Sequence, residues 1–388
     1  MIHSAVDRRL TWAEVDLDAL AANIHSYRHH VGKGVAIIAV VKANAYGHGA
    51  VAVSRAALEA GASRLAVHRL EEGIELRQAG ISCPILIMGY TPVSNATLVV
   101  AHQLTAAVTT REFARALNAR ALNDRAETPI PIHIKVDSGM GRFGLLPGEA
   151  ADFAAGLGDL RSIKIEGIFT HFATADALDQ FHMQRQLAVF KGVLAEIESR
   201  GLKIAIRHAC NSAAAMTLPE GRFEAVRPGL SLYGMVPSSE WPPPFALQPV
   251  LSLKSRVVRL RTLAAGSSIG YGRTYVTKEP TRVALLPVGY GDGYHRLISG
   301  RGAVLLKGKR APILGRVSMD QIVVDVSAIP GVELEEEATL LGGEGDAAIS
   351  AEEIAGWAQT INYEITTSLL PRVARLYRRN GEIIGAHG

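Results

Sequence analysis

Between residue 35 and about residue 234 one unit recurs: a short apolar run, then a stretch with helical spacing. The runs fall at 35–42, 64–68, 84–89, 105–109, 130–136, 164–170, 205–210 and 225–233. Helical patterns such as AVAVSRAALEAG, RLEEGIELRQAG, TTREFARALNARAL and LDQFHMQRQLAVFKGVLAEIESRG lie between them. The first run, VAIIAVV, is unbroken, as a strand covered on both faces requires. Eight strands alternating with helices are the count of a (β/α)8 TIM-type barrel. An open doubly wound sheet competes, but it would usually carry a nucleotide-type glycine loop after an early strand. Here the first loop is Asn44-Ala45-Tyr46-Gly47-His48-Gly49. A barrel requires its functional residues at the C-terminal strand ends. Polar residues recur there: Lys42, His68, Tyr90, Lys135 through Arg142, His171, Asn211-Ser212, Arg227 and Tyr233.

The pattern breaks at 236–249, where Pro237, Pro242, Pro243 and Pro244 can continue neither a helix nor a central strand. We expect a barrel domain over 11–240 and a second, mainly antiparallel β domain over 241–388, interrupted by a helix near 351–359. A length of 388 residues suits two domains. The 41 basic and 37 acidic residues nearly balance and form no Lys/Arg block, which argues against nucleic acid. No stretch reaches the length of a membrane span, and MIHSAVDRRLTW has no apolar leader core, so the expectation is a soluble cytoplasmic protein. Cys83 and Cys210 read as core residues in a reducing compartment. His25, His29 and His30 lack carboxylate or cysteine partners nearby and read as a solvated helix face, with no metal site.

Lys42 ends the first buried run. Desolvation there disfavours the ammonium, so such a lysine can serve as a nucleophile near neutral pH. The glycines beyond it let backbone approach a ligand. A lysine snorkelling to solvent is the alternative. The string VVKANAYGHG closely resembles the lysine motif of the alanine racemase family, whose members bind pyridoxal 5'-phosphate on that lysine. Further motifs follow in the family's order: IKVDSGMGRFG at 134–144, AVRPGLSLYG at 225–234, SSIGYGRT at 267–274, GYGDGYHR at 289–296 and GRVSMDQ at 315–321.

The resemblance implies a racemase interconverting L- and D-alanine for peptidoglycan, working as a homodimer with shared sites. It implies that the first strand, near 11–16, joins the β domain. Lys42 and Tyr271 would be the two bases on opposite faces of the substrate, with Tyr271 supplied by the partner. A phenol is a poor base at neutral pH unless something cationic lowers its pKa, a task the resemblance gives to His171 and its arginine neighbours. Tyr46, Ser212, Gly229 and Leu230 would hold the phosphate, with Asn211 opening the segment after the seventh strand. A helix N-cap is a second reading of Ser212. Arg227 would face the pyridine nitrogen, with His208 and His171 behind it. Arginine can only donate, so that ring nitrogen stays unprotonated and proton exchange is favoured over transamination. Arg142 would bind the substrate carboxylate, with Lys135 as a candidate for carbamylation. Met319 would touch substrate through its backbone; Ser318 stands where some relatives carry cysteine. Asp176, Tyr290 and Arg296 would line the access gate. Pro371 departs from the family, falling where some relatives place a tyrosine that contacts phosphate. A broad-specificity or serine racemase is a second enzyme reading. A PLP-binding regulatory protein would lack the β domain, and a decarboxylase would want a carboxylate where this chain has Arg227.

Overall fold

The computed structural model describes residues 9–125, 128–344 and 347–387. Eight parallel strands form one sheet in the order β8-β7-β6-β5-β4-β3-β2-β9. They are β2 (Ala36–Val40), β3 (Arg64–Val67), β4 (Ile85–Ile87), β5 (Thr105–Val108), β6 (Ile130–Lys135), β7 (Ile163–Phe169), β8 (Ile206–His208) and β9 (Ala225–Val226). β2 and β9 pair, with Ala36 opposite Ala225. Between β8 and β9 a single backbone bond, Arg227 N–H to the Cys210 carbonyl (2.9 Å), draws the last gap together. The result is a nearly closed barrel.

The eighth strand is shorter than the apolar run suggested. It ends at Val226 because Pro228 has no N–H for a ladder. Residues Leu230–Tyr233 then wind into a 3-10 turn closed by Gly234 at φ 80°. On the helix Leu17–Val31, His25 and His29 are exposed, but His30 is half-buried. Its Nε2 lies 2.9 Å from the Met216 carbonyl and 2.8 Å from the Arg222 guanidinium, so it pins the helix to the segment after β8.

The second sheet has eleven strands. Its β1 (Thr11–Asp16) lies between β10 (Leu251–Arg256), antiparallel, and the strand Ala374–Arg379 (labelled β20, the twentieth in chain order), parallel. The helix Ala351–Ala358 falls where the spacing predicts one, and a second helix, Asn362–Thr367, follows it. That second helix and β20 back onto the loop after β2. A Cβ on Gly47 would lie 2.0 Å from the Thr366 carbonyl oxygen, and one on Gly49 would lie 1.9 Å from the Tyr377 hydroxyl. The buried Arg375 donates to the Gly47 carbonyl at 3.0 Å. No described helix is long and apolar enough to cross a membrane. Among the described residues no cluster of His, Cys, Asp and Glu could hold a metal.

Candidate active site

Lys42 begins a left-handed turn. Ala43, Asn44, Ala45 and Tyr46 all have φ between 52° and 54°. Only glycine takes this conformation freely, so four such residues in a row mark a built feature. The turn folds Tyr46 back over the rim, its ring 4.9 Å from Tyr233 and 5.9 Å from the Lys42 amine. Glu72 receives the Ala43 N–H at 2.6 Å, Asn44 Oδ1 caps Ala50, and the buried His48 bonds the Ala45 and Tyr46 carbonyls. Burial, and then the Arg142 cation, depress the Lys42 pKa, with Glu72 pulling the other way.

Lys135, at the end of β6, is buried with its amine 4.7 Å from the centre of the Phe143 ring. Burial and the cations of Arg142 and Arg227 push its pKa down to about 8. Arg142 is exposed at the mouth, on a loop wound round one carboxylate. Asp137 Oδ1 accepts from the N–H groups of Gly139, Met140 and Gly141, and Oδ2 accepts from that of Arg142 at 2.7 Å. Partial burial works to raise the Asp137 pKa, but these donors outweigh it and hold the carboxyl below its usual range. An aspartate ahead of Ser-Gly-Met-Gly is the sequence signal for such a loop.

Arg227 is fully enclosed. Nη1 donates to His208 Nδ1 (2.7 Å) and the His208 carbonyl, and Nη2 to the carbonyls of Thr170 and Ala209, with His171 Nδ1 at 3.4 Å. Among the described residues its Nε–H has no partner. Burial lowers its pKa to about 10, which leaves it charged at neutral pH. Burial, and then Arg227, hold His171 and His208 far below the ordinary histidine range, so both rings are neutral.

Beyond β8 and β9 a small polar cradle forms. The N-cap there is Asn211, which accepts from Ala214 N–H; Ser212 is not the cap. Its hydroxyl instead accepts from the Gly229 N–H at 2.9 Å. Leu230 is 1% exposed, yet its N–H meets no acceptor among the described residues. The Tyr46 hydroxyl lies against Gly229, where an added Cβ would sit 2.5 Å away. Four cations and an orphaned N–H thus border one mouth. Its acids, Asp137 and Glu72, are already occupied by backbone donors. Such a mouth fits a phosphorylated, anionic aldehyde coenzyme with its phosphate at the cradle and its aldehyde end at Lys42.

The remaining residues singled out in the sequence lie elsewhere. Tyr271 is 70% exposed, on a turn braced by Arg316, and Met319 is 53% exposed. The Met319 carbonyl accepts from Gly291 N–H, which ties its loop to that of the half-exposed Tyr290. Arg296 is exposed beside them. Among the described residues none of these bonds to the barrel mouth. Asp176 stays on the barrel side, its carbonyl held by Ser238 and Trp241. Pro371 is exposed. A tyrosine not singled out from the sequence, Tyr363, stands 6.3 Å from the Tyr46 ring.

Fold and mouth together define a two-domain barrel protein with an activated lysine at the rim of its barrel. A model of the alanine racemase N-terminal domain matches residues 15–237, and one of the C-terminal domain matches residues 250–377. Alanine racemase from Halothermothrix orenii is 44% identical over 95% of this chain and 97% of that one. Alanine racemase from Bacillus anthracis, solved with bound L-Ala-P, superposes with a TM-score of 0.91 at 39% identity, covering 97% of each chain. That from Clostridium difficile gives 0.93 at 37% identity, over 98% of each. The chain belongs to the alanine racemase family.

Proposed function

We propose that the chain is an alanine racemase, interconverting L- and D-alanine with pyridoxal 5'-phosphate as a homodimer with shared sites. The observation that carries this reading is a division of labour: Lys42 stands at a cationic barrel mouth, while Tyr271 and Met319 are presented outward on the β domain. The role of the two domains, 11–240 and 241–388, follows from it. The alanine specificity rests on the family. A cytoplasmic location fits two free thiols, and a part in peptidoglycan supply rests on the family.

When bound, the coenzyme supplies the electron sink that makes the substrate Cα–H acidic. The depressed Lys42 amine would hold the coenzyme's aldehyde end. The freed Lys42 amine would hold or return the Cα proton on one face, and Tyr271 of the partner subunit would do so on the other. Tyr46, Ser212, Gly229 and Leu230, with Asn211 capping the helix behind them, would hold the phosphate. Arg227 would present its Nε–H to the ring nitrogen, and as a pure donor it would leave that nitrogen unprotonated, a setting that would favour proton return over transamination. His171 Nδ1 faces the Arg227 guanidinium, so its Nε2–H is free to donate to the hydroxyl oxygen of the partner's Tyr271. Arg142 takes the substrate carboxylate, and Met319 of the partner subunit contacts substrate through its backbone. Asp176, Tyr290 and Arg296 set the access path. At a pKa of about 8, Lys135 has enough neutral amine to add CO2 and lose a proton, forming a carbamate that orients Arg142.

Subunit complementation tests the reading. Lys42→Ala and Tyr271→Phe should each be inactive by chiral assay of alanine. After subunit exchange at equal amounts, half the dimers carry one intact site, and about a quarter of the wild-type rate should return. A heterodimer that forms and stays inactive would refute shared sites.

A further inference from the structure

The polar chain behind Arg227 continues beyond His208 through the barrel interior. His208 Nε2 lies 2.8 Å from His133 Nδ1, and His133 Nε2 lies 3.2 Å from Glu166 Oε2. Glu166 in turn accepts both Nη groups of Arg64, at 2.8 and 3.0 Å. Five residues from β3, β6, β7, β8 and the end of β9 are joined. Barrel interiors are ordinarily filled with branched apolar side chains. Buried polar groups are costly unless fully satisfied.

The chain is built for, rather than tolerated. The β6–β7 pairing skips one residue: Ile132 faces Ile165 and His133 faces Gly167, so Glu166 is the extra residue of a bulge in β7. On the facing strand, a Cβ at Gly167 would lie 2.6 Å from the His133 ring, so only glycine leaves it room. The Phe169 ring stacks flat on His208, with centroids 4.8 Å apart and planes 6° apart.

The two ends dictate every proton between them. Arg227 can only donate, so His208 Nδ1 must accept and its hydrogen sits on Nε2. That hydrogen goes to His133 Nδ1, which forces the His133 hydrogen onto Nε2, pointing at a carboxylate that can only accept. Both rings are neutral, and one assignment satisfies all three contacts. Burial depresses the His133 pKa in spite of the neighbouring Glu166, so this contact is a hydrogen bond from neutral imidazole and not an ion pair. The His133 bond, against burial and with help from Arg64, holds Glu166 at about 2.

We infer that His133, Glu166 and Arg64 are positioning residues for the racemase reaction: by fixing the His208 tautomer they hold Arg227 with its Nε–H directed into the site. The inference rests on the reading of Arg227 as the partner of the coenzyme's ring nitrogen. Glu166→Gln is the direct test. A glutamine amide can donate as well as accept, so the proton order is no longer imposed. Nitrogen-15 NMR of histidine-labelled protein without coenzyme should show a single Nε2–H tautomer for His133 and His208 in the wild type. The variant should show both tautomers, and Glu166→Asp, which keeps the carboxylate, should regain one. In the holoenzyme, kcat should fall about tenfold with KM within about twofold, as for removal of an outer partner of a catalytic group. Pyruvate from transamination should become measurable. Arg64→Met, which leaves the three buried members in place, should shift both readouts in the same direction by less and covers the case in which Glu166→Gln does not fold. A folded Glu166→Gln enzyme with a single tautomer, or with unchanged kcat and no pyruvate, overturns the inference; so does an Arg64→Met enzyme with wild-type values. Arg227→Lys separates the two readings. If it leaves coenzyme absorbance and pyruvate formation unchanged, the role given to Arg227 is wrong. If it alters them while Glu166→Gln does not, only the positioning chain is wrong.

Discussion

Gly229→Ala probes the cradle with the fewest side effects. Gly229 has a negative φ of −129°, so the substitution forces no side chain into the left-handed region. The steric cost can be read from its neighbours. The new Cβ would sit 2.5 Å from the Tyr46 hydroxyl, 3.1 Å from its Cζ and 3.3 Å from Val40 Cβ. A phenolic oxygen is the movable end of a side chain, so the protein should fold, with Tyr46 displaced from the cradle. Overpacking of this kind costs about 1–3 kcal/mol. If it falls on coenzyme binding, the Kd should rise about 5- to 150-fold. The assay is a titration of stripped protein with pyridoxal 5'-phosphate followed by absorbance, beside a thermal melt. The double variant sharpens it. Tyr46→Phe alone loses a hydrogen bond to the phosphate, yet it also removes the atom that the new methyl strikes. The pair should therefore bind coenzyme better than the sum of the single losses, by about 1 kcal/mol, since the two groups touch. Strict additivity, or an unchanged Kd for Gly229→Ala, would refute the placement of Tyr46 against Gly229.

Three further outcomes follow from the same geometry. His48 is buried neutral, and burial lowers its pKa from 6.5 to about 4, so the unfolded chain binds the extra proton between those values. Its contribution is therefore complete above pH 6.5 and lost as pH falls toward 4, by about 3 kcal/mol at one pKa unit per 1.36 kcal/mol. Denaturant melts of wild type and His48→Gln should diverge over that window, and parallel curves would contradict it. Asp137→Asn keeps one acceptor oxygen but replaces the one that receives the Arg142 N–H. Losing a bond to a charged acceptor costs about 1.5–3 kcal/mol, so KM for alanine should rise about tenfold or more; an unchanged KM would separate Arg142 from substrate. Carbon-13 carbonate should give one carbamate resonance that strengthens as pH rises toward 8, the value of Lys135, and that is missing in Lys135→Arg.

The barrel was legible because each strand is a short apolar run closed by a polar residue or a turn, and that signal is local. The last strand is shorter than its apolar run, because LSLY continues the apolar texture past Pro228 while the missing proline N–H ends the ladder. The left-handed turn was not legible. Only Asn44 in KANAY is a type that favours positive φ, and two of the groups that hold the turn, Glu72 and His48, act from outside it. The His133–Glu166 pair was missed for the same kind of reason. Each residue reads as ordinary in its own strand, and only the register of β6 against β7 brings them together. Tyr271 was found by its motif alone. In one chain it stands in solvent, and no property of that position distinguishes a lent base from a turn tyrosine.

The left-handed turn also explains why one chain should carry both the lysine and the β domain. Four non-glycine residues in that conformation cost roughly 4–8 kcal/mol. The charge-assisted bond to Glu72 returns about 1.5–3 kcal/mol, and the Asn44 cap and the His48 bonds about 1 kcal/mol each. Local bonds therefore recover most of it, and the remainder must come from packing. That packing is supplied from behind by the chain's own β domain: the Thr366 carbonyl against Gly47, Arg375 bonded to the Gly47 carbonyl, and Tyr377 against Gly49. A barrel without this support would have little reason to hold Lys42 in place. The domain that braces the lysine of its own chain on one side carries Tyr271 outward on another. An isolated barrel would thus lose its first base as well as the means to lend a second, and the two bases stand or fall with one domain.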